Sequence, residues 1–574
     1  MSRSIVRRTV CASHALPDTM HHVLRRVYAA RNILRPDELD YSLEGLHSYH
    51  SLGGIDTAVQ LLADALERQR RILIVADFDA DGATGCALAI RGLRLMGARD
   101  IRYLVPSRFD FGYGLSPGIV ELAARDKPEL LITVDNGISS VDGVALARSL
   151  GIDVLVTDHH LPGAVLPEAN AIVNPNLAGD AFPSKSLAGV GVVFYLLAAL
   201  RTQLRENGWF ASHGLAEPRL SGLLDLVALG TVADVVPLDH NNRILVEQGL
   251  QRIRRGNCVP GILSLLQVAG RDYRQATAGD FAFAVGPRLN AAGRLTDMSL
   301  GIECLLCDDA EQARQMAASL DELNRERREI QQQMQDSIAA ELPELGGADL
   351  PYGLCLYNDG WHQGVVGVLA SRLKDQWNRP VIAFARDRDG LLKGSGRSIG
   401  AVHLRDLLEG IASTSPGLIK KFGGHAMAAG LVIDEEAFDT FRRRFEEECH
   451  DRLNGDDLKG VIHSDGELQA GDINLSLAAR LREGGPWGNG FPEPVFDGEF
   501  RLRERRIVGE RHLKMTLELP GSPRVVDAIA FFTLDKDWPR DVSQVRLAYR
   551  LDINEYNGRR TEQLVAEYVE PVGE

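Results

Sequence analysis

The chain is short of cysteine, of long apolar runs and of net positive charge, and each shortage excludes a class of protein. Seven cysteines in 574 residues, an odd number, are scattered along the sequence, so they do not form the disulfide framework of a small secreted domain. Cys304 and Cys307 make one C-x-x-C pair without a second, which reads as core packing rather than a zinc site. No apolar run approaches the length of a membrane span. The basic start, Met1 to Val10, lacks the long apolar region of a signal peptide. A soluble, cytoplasmic protein without membrane contact is expected. No Gly-x-x-x-x-Gly-Lys-Ser/Thr loop occurs, which argues against an ATP-driven helicase and against a nucleotide cofactor. Net charge −15 argues mildly against a general nucleic-acid coat, which usually carries excess Lys and Arg. An enzyme gripping only a few phosphates needs local positive charge, so the bulk charge leaves the substrate open.

What is present is ordinary globular material, 45% hydrophobic and 25% charged, long enough for three or four domains. After a helix over Ile55 to Leu66, strands at 72–76, 101–105, 130–134 and 153–157 alternate with helices at 83–96, 117–125 and 140–149. That alternation predicts a parallel, doubly wound α/β sheet. In such sheets ligands bind outside the carboxyl ends of the strands. Three of these ends carry charge: Asp77, Asp79 and Asp81 after the first, Asp135 after the third, and Asp158-His159-His160 after the fourth. Hard carboxylates with imidazole suit a pair of divalent ions, Mn²⁺ or Mg²⁺. An EF-hand is the rival for Asp-x-Asp-x-Asp-Gly, but its twelfth position must be a bidentate Glu, and Leu88 stands there.

Further along, Pro106 to Gly114 is a glycine-rich, aromatic loop with the single cation Arg108; contact with phosphate and base competes with an ordinary surface turn. Leu220 to Val236 reads as an apolar helix holding Asp225 and Asp234. A carboxylate there is costly unless paired, and metal coordination would resolve that cost; Asp225 is left out of the site. Residues 308 to 341 predict a long, rigid interdomain helix ending near Leu342-Pro343 and Gly346-Gly347. A second α/β unit follows, with strands at 353–357, 380–385 and 391–396 and helices at 364–377, 403–411 and 436–449. Its run Gly394-Ser395-Gly396-Arg397-Ser398 suits a phosphate held by backbone N–H groups and an Arg fork, and His425 stands in a glycine-rich stretch where backbone can approach a strand closely. From about 461 the pattern turns to short strands, at 462–468, 497–508, 511–519, 524–531 and 545–556, with 561–569 as a candidate extra strand and a helix near 473–482. Five strands and a helix suggest an OB-fold barrel. Arg501, Arg503, Arg505, Arg506, Arg511 and Lys514 crowd one hairpin, either as a solvated face or as a single-strand groove. Phe531, Phe532 and Tyr556 are stacking platforms or core.

The three charged clusters resemble those of the DHH phosphoesterase superfamily, and Gly423-Gly424-His425-Ala426-Met427-Ala428-Ala429-Gly430 is similar to the signature of the DHH-associated domain. Gly286-Pro287-Arg288-Leu289-Asn290-Ala291-Ala292-Gly293-Arg294 narrows the likeness to the branch of single-strand-specific 5′→3′ exonucleases. Together these motifs cover roughly residues 50 to 570. The resemblance implies an N-terminal segment (1–50), a DHH phosphoesterase domain (51–307), a connector helix (308–345), a DHH-associated α/β domain (346–455) and an OB-fold domain (456–574). It implies a metal-dependent exonuclease acting on single-stranded DNA in repair and recombination. A single-strand-binding protein and a helicase would be its protein partners. Asp135 would bridge two metals, with Asp79 on one and Asp81, His159 and Asp234 on the other. Asp77 and His160 would complete the site as ligand or phosphate contact, with Asp158 orienting an imidazole. Arg108, Arg288, Asn290, Ser395, Arg397 and His425 would meet nucleic acid or phosphate. The same-superfamily rival is a hydrolase of short oligonucleotides or cyclic dinucleotides, which would lack the barrel. A non-catalytic single-strand clamp, on the same fold, would have lost ligands. The metal site is expected to sit on an independent α/β unit.

Overall fold

The computed structural model describes residues 3–10, 15–107, 114–341, 350–387, 390–509, 511–534, 538–539, 541–556 and 558–572, with side chains to 338 in the connector helix and to 555 near the C-terminus. Arg108 with most of its loop, and the residues Leu342-Pro343 and Gly346-Gly347, lie outside the described residues, as does the side chain of Tyr556.

Strand β1 (Arg3–Arg7) opens the chain, followed by the helix His22–Ala29. The first sheet holds β2 (Ile72–Ala76), β3 (Ile101–Leu104), β4 (Leu130–Val134), β5 (Asp153–Thr157) and β6 (Ala171–Val173), in the order β3-β2-β4-β5-β6 with every pair parallel. The apolar runs are continuous because both faces are covered. Leu73, Val75, Leu131, Val154 and Val156 pack with residues of the helices Pro117–Ala123 and Val141–Ser149, while Ile72, Ile74, Leu130, Ile132 and Leu155 face the larger core on the other side. The helix after β2 begins at Ala80, three residues before the sequence reading, because the Asp79 carboxylate accepts the N–H groups of Asp81 and Gly82, each at 3.0 Å. That cap draws Asp81 into the first turn. The apolar stretch from Leu220 divides into a 3₁₀ turn, Leu220–Leu223, and the helix Leu224–Ala233.

The connector helix runs Ala310–Glu341. Its Ala317 and Leu320 enter the first core, and its Met334 and Ile338 pack with Trp361 and Leu369 of the next unit. There β7 (Leu354–Tyr357), β8 (Val381–Arg386), β9 (Leu391–Arg397), β10 (Lys421–Gly424) and β11 (Ala428–Asp434) form a sheet ordered β10-β11-β9-β8-β7, in which only the β7–β8 pair is parallel. Gly394 and Gly396 lie inside β9. A Cβ at 394 would meet the Phe384 ring at 2.5 Å, and one at 396 would meet Leu404 at 2.7 Å.

The C-terminal barrel closes in the order β13-β14-β15-β17-β16, from β13 (Phe496–Val508), β14 (His512–Glu518), β15 (Val525–Ala530), β16 (Gln544–Tyr556) and β17 (Arg559–Pro571). Two expectations are corrected here. The strand expected at 462–468 is β12 (Gly460–Ser464), which stands outside the barrel and pairs in parallel with β1. The candidate extra strand is β17, the one that closes the barrel by pairing with both β15 and β16. Pattern alone did not reveal β12's partner, because that partner lies more than 450 residues away in sequence.

Residues 15–50 are fastened to the C-terminal region. Arg31 and Asp465, with side chains 2% and 0% exposed, make a bidentate ion pair at 2.8 and 3.0 Å. Removing one partner of such a buried pair costs about 3–5 kcal/mol. Tyr28 stacks near Phe491 and donates to the Gly484 carbonyl. A single continuous apolar cluster runs from the first sheet through Phe491 into the barrel residues Phe496 and Leu513. The expectation of an independent first unit is therefore corrected: its core is shared with the C-terminal region.

Candidate metal centre

The carboxyl ends of β2, β4 and β5 lie side by side, and the loops leaving them converge. Asp135 follows β4 in the left-handed region, at φ 63, which a non-glycine residue adopts only when its surroundings enforce it. Asn136 supplies part of that enforcement, donating its amide to the carbonyls of Val75 and Val134 at 3.0 and 2.9 Å and so tying the two strand ends together. Asp81 is fully buried, and both its oxygens accept N–H groups from the start of the helix Gly189–Glu206, Gly189 at 2.6 Å and Val190 at 2.9 Å. The sequence reading missed these two residues. The signal was the Gly189-Val190-Gly191 run, where a Cβ at 189 would fall 2.7 Å from Asp135 Cβ.

His159 stands at the middle. Its Nε2 is 3.0 Å from Asp135 Oδ1, 3.5 Å from Asp234 Oδ2 and 3.9 Å from Asp81 Oδ2. Two groups of potential ligand atoms lie within 4.8 Å of one another, Asp77 with Asp79 and Asp135, and Asp81 with His159 and Asp234; a third, Asp135 with His159 and His160, joins them. Asp158 is buried and fixes the His160 imidazole. Its Oδ1 accepts from the His159 and His160 N–H groups and lies 2.8 Å from His160 Nδ1, while its Oδ2 accepts from Ile138.

The electrostatics follow from crowding. Burial, and then the charge of Asp234, push Asp81 up to about 7. Burial, and then Asp79, push Asp234 up to about 7. Asp135 is raised well above its ordinary value by burial and by Asp81 and Asp79. Carboxylates driven towards protonation in this way ionise together only when a cation neutralises them. Burial lowers His159. His160 behaves oppositely: burial opposes its charge, but the hydrogen bond and charge of Asp158 prevail and raise it to about 9. Asp158 is held below its ordinary value, its own burial being outweighed by His160 and two backbone N–H groups. Asp225 is placed apart, buried and raised by burial, with its Oδ2 accepting from Val259 at 2.8 Å.

The second sheet reaches the same place. The His425 ring stacks on His160 with centroids 6.4 Å apart and planes at 22°, and burial followed by the neighbouring His160 lowers its pKa. Arg397 donates to the Gly396 carbonyl at 2.7 Å and to Ser395 Oγ at 3.2 Å. A Cβ on Gly367, in the first turn of the helix Val366–Trp377, would lie 2.9 Å from Ser395 Oγ and 3.2 Å from Arg397 Nη2. The signature around Asn290 has a different geometry from the one expected. Asn290 Oδ1 accepts from the Ala80 N–H at 2.8 Å, and a Cβ on Gly293 would fall 1.9 Å from the Phe78 carbonyl oxygen, so this helix braces the first acidic loop. Arg288, expected to meet phosphate, is 7% exposed and bound to Asp321 of the connector at 2.7 and 2.9 Å and to the Ala284 carbonyl. Its guanidinium joins two helices instead.

In the barrel, Phe531 and Phe532 are 50% and 68% exposed, so they are not core. Part of the cationic hairpin is offset by acid: Arg503 pairs with Glu518 at 2.5 Å and Lys514 with Asp527 at 2.9 Å.

Comparison with known proteins matches residues 71–231 to the DHH family N-terminal domain, 351–451 to the DHHA1 domain and 464–568 to the RecJ OB domain. The chain is 57% identical over 570 residues to the single-stranded-DNA-specific exonuclease RecJ of Dickeya dadantii, covering 99% of each chain. It is 52% identical to the RecJ of Escherichia coli, again over 99% of each. Among solved structures, RecJ of Thermus thermophilus in complex with Mn²⁺ superposes with a TM-score of 0.79 at 30% identity, covering 96% of this chain and 76% of that one. The complex of the same protein with Mg²⁺ gives 0.73 over 96% and 75%.

Proposed function

The chain belongs to the RecJ family of metal-dependent, single-stranded-DNA-specific exonucleases, and from that footing we propose that it hydrolyses single-stranded DNA from the 5′ end at a two-ion centre, in DNA repair and recombination. The observation that carries this is the meeting of buried carboxylates and His159 from three strand ends with His425 of the second sheet. Asp77, Asp79 and Asp135 would hold one ion and Asp81, His159 and Asp234 the other, with Asp135 shared. The donor set fits Mn²⁺ or Mg²⁺. Such ions, when bound, supply charge neutralisation on the phosphodiester and lower the pKa of water.

The protein's own groups supply order. Asp158 holds His160 by Nδ1, and Asn290 holds the Asp77–Ala80 loop. Ser395 and Arg397, with the helix start at Gly367, form the pocket for a terminal 5′ phosphate, and Arg108 is a further phosphate contact from the first domain. The exposed Phe531 and Phe532 offer faces on which bases of the incoming strand stack. The protein would act in the cytoplasm, where a single-strand-binding protein and a helicase would present its substrate; among the described residues no helix is long and apolar enough to cross a membrane. The test is digestion of end-labelled single-stranded and duplex DNA and RNA with Mn²⁺, Mg²⁺ or EDTA. Shortening of single-stranded DNA from the 5′ end, abolished by EDTA, is expected; metal-independent or 3′-first digestion refutes the proposal.

A further inference from the structure

Asp234 ends the helix Leu224–Ala233, and the next residue, Val235, sits at φ 63. A β-branched residue in that left-handed region persists only where its neighbours impose it. The imposing group comes from the start of the C-terminal region. Gly488 and Phe491 exchange backbone hydrogen bonds at 2.9 and 3.1 Å, closing a tight turn with Asn489 and Gly490 at its tip. Asn489 Nδ2 donates to the Val235 carbonyl at 2.7 Å, and the Leu238 N–H donates to the Asn489 carbonyl at 2.7 Å. Gly490, at φ 72, lies so close that a Cβ would sit 3.2 Å from Pro237 Cβ.

The segment is held from the other side as well. Arg243 donates to the Leu238 carbonyl at 3.0 Å, and Asn242 to that of Pro237 at 2.9 Å. The base of the turn is rigid: Phe491 is 1% exposed, stacks on Trp487 with centroids 4.9 Å apart, and lies 4.4 Å from the Arg243 guanidinium carbon. An exposed tip on a buried base thus grips the strained peptide beside a candidate metal ligand.

We propose that Asn489 is a positioning residue for Asp234: by fixing the Val235 peptide it keeps the Asp234 carboxylate turned towards His159, so that the ion affinity of the catalytic centre depends on the C-terminal region. This rests on the reading of Asp234 as a metal ligand.

The experiment measures Mn²⁺ binding to the full-length protein by calorimetry, alongside single-strand affinity in EDTA, for wild type, Asn489→Ala, the Asn489→Ala/Val235→Gly pair and Asp234→Ala. Asn489→Ala should weaken Mn²⁺ binding about 10-fold, the lower end for losing an outer-shell partner. Single-strand affinity should stay unchanged, and turnover should recover at excess Mn²⁺. Glycine tolerates the left-handed backbone without help, so the double variant should bind Mn²⁺ nearly as wild type does. Wild-type Mn²⁺ affinity in Asn489→Ala, with Asp234→Ala impaired, overturns the inference and leaves the site standing. Unimpaired Mn²⁺ binding in Asp234→Ala removes the ligand reading, and the inference with it. A loss in Asn489→Ala that the double variant does not restore means general loosening, and also overturns it. Should Asn489→Ala not fold, Asn489→Asp takes its place, keeping the size and the backbone bond to Leu238 but offering no donor to Val235.

Discussion

The two α/β sheets use strands of similar length for opposite purposes. In the first, all neighbours run parallel and their carboxyl ends point the same way, so three loops deliver acid to one place. In the second, where every pair but β7–β8 is antiparallel, successive loops go to opposite edges. The first gathers charge that repels itself and calls for cations. The second contributes Arg397, Ser395 and His425, which we propose meet an anion. On the proposed function, chemistry and end recognition would fall to different folding units, and a variant in one should spare the function of the other.

The largest effect is expected in the first sheet. Asp135→Ala should lower kcat by roughly 10³-fold or more, as for a group acting in the chemical step, while single-strand binding in EDTA persists. Wild-type-like turnover with Mn²⁺ present would break the division at its acidic side. Arg397→Ala should lower kcat/KM on 5′-phosphorylated strands roughly 10–100-fold, the size of one charge-assisted contact at about 1.5–3 kcal/mol. Its Mn²⁺ affinity should be that of wild type. Equal losses on matched 5′-phosphate and 5′-hydroxyl strands would show that the second sheet makes only an ordinary backbone contact.

Asp158→Asn probes the seam between them and should cost on the order of 10-fold, less than loss of a ligand. Removing the negative partner should also bring the His160 pKa down from about 9, which NMR titration of the imidazole would read; an unmoved His160 contradicts the pairing. The smallest effect is on stability. In EDTA the carboxyls of Asp81 and Asp234, raised from 3.8 to about 7, bind protons in the folded state that the unfolded chain has released. Stability should fall as pH rises from about 4 to about 7. The raised His160 adds stability that is full below 6.5 and is lost as pH passes about 9. Mn²⁺ should therefore raise Tm by several degrees at pH 8 and by less at pH 5.5. Equal increments in scanning calorimetry would mean that the acidic cluster is not the ion site.

Much of the first sheet was legible because a buried parallel strand is a short apolar run, and the charged residues that follow it stand out against it. Strands 72–76, 130–134 and 153–157 have those bounds in the structure. Legibility fails where the deciding partner is distant. Arg288 looks the same in sequence whether it faces phosphate or Asp321, and the choice depends on how the connector helix packs. Nothing near Gly460–Ser464 signals that its neighbour is Arg3–Arg7. The early start of the helix at Ala80 was readable in principle, since Asp79 is a good N-cap, but three acids in alternation offered several capping choices.

Sequence by itself determined the order of elements, the residues that can hold a divalent ion and the family, because each is written in local pattern and residue type. Tertiary structure alone decided which carboxylates crowd together, that His425 stacks on His160, that the chain's start is tied to its last domain, and that Asn489 grips Val235. Those are contacts between segments far apart in sequence. Local propensity says nothing of them, since the free energy that selects them is packing and hydrogen bonding gained only once the chain has closed on itself.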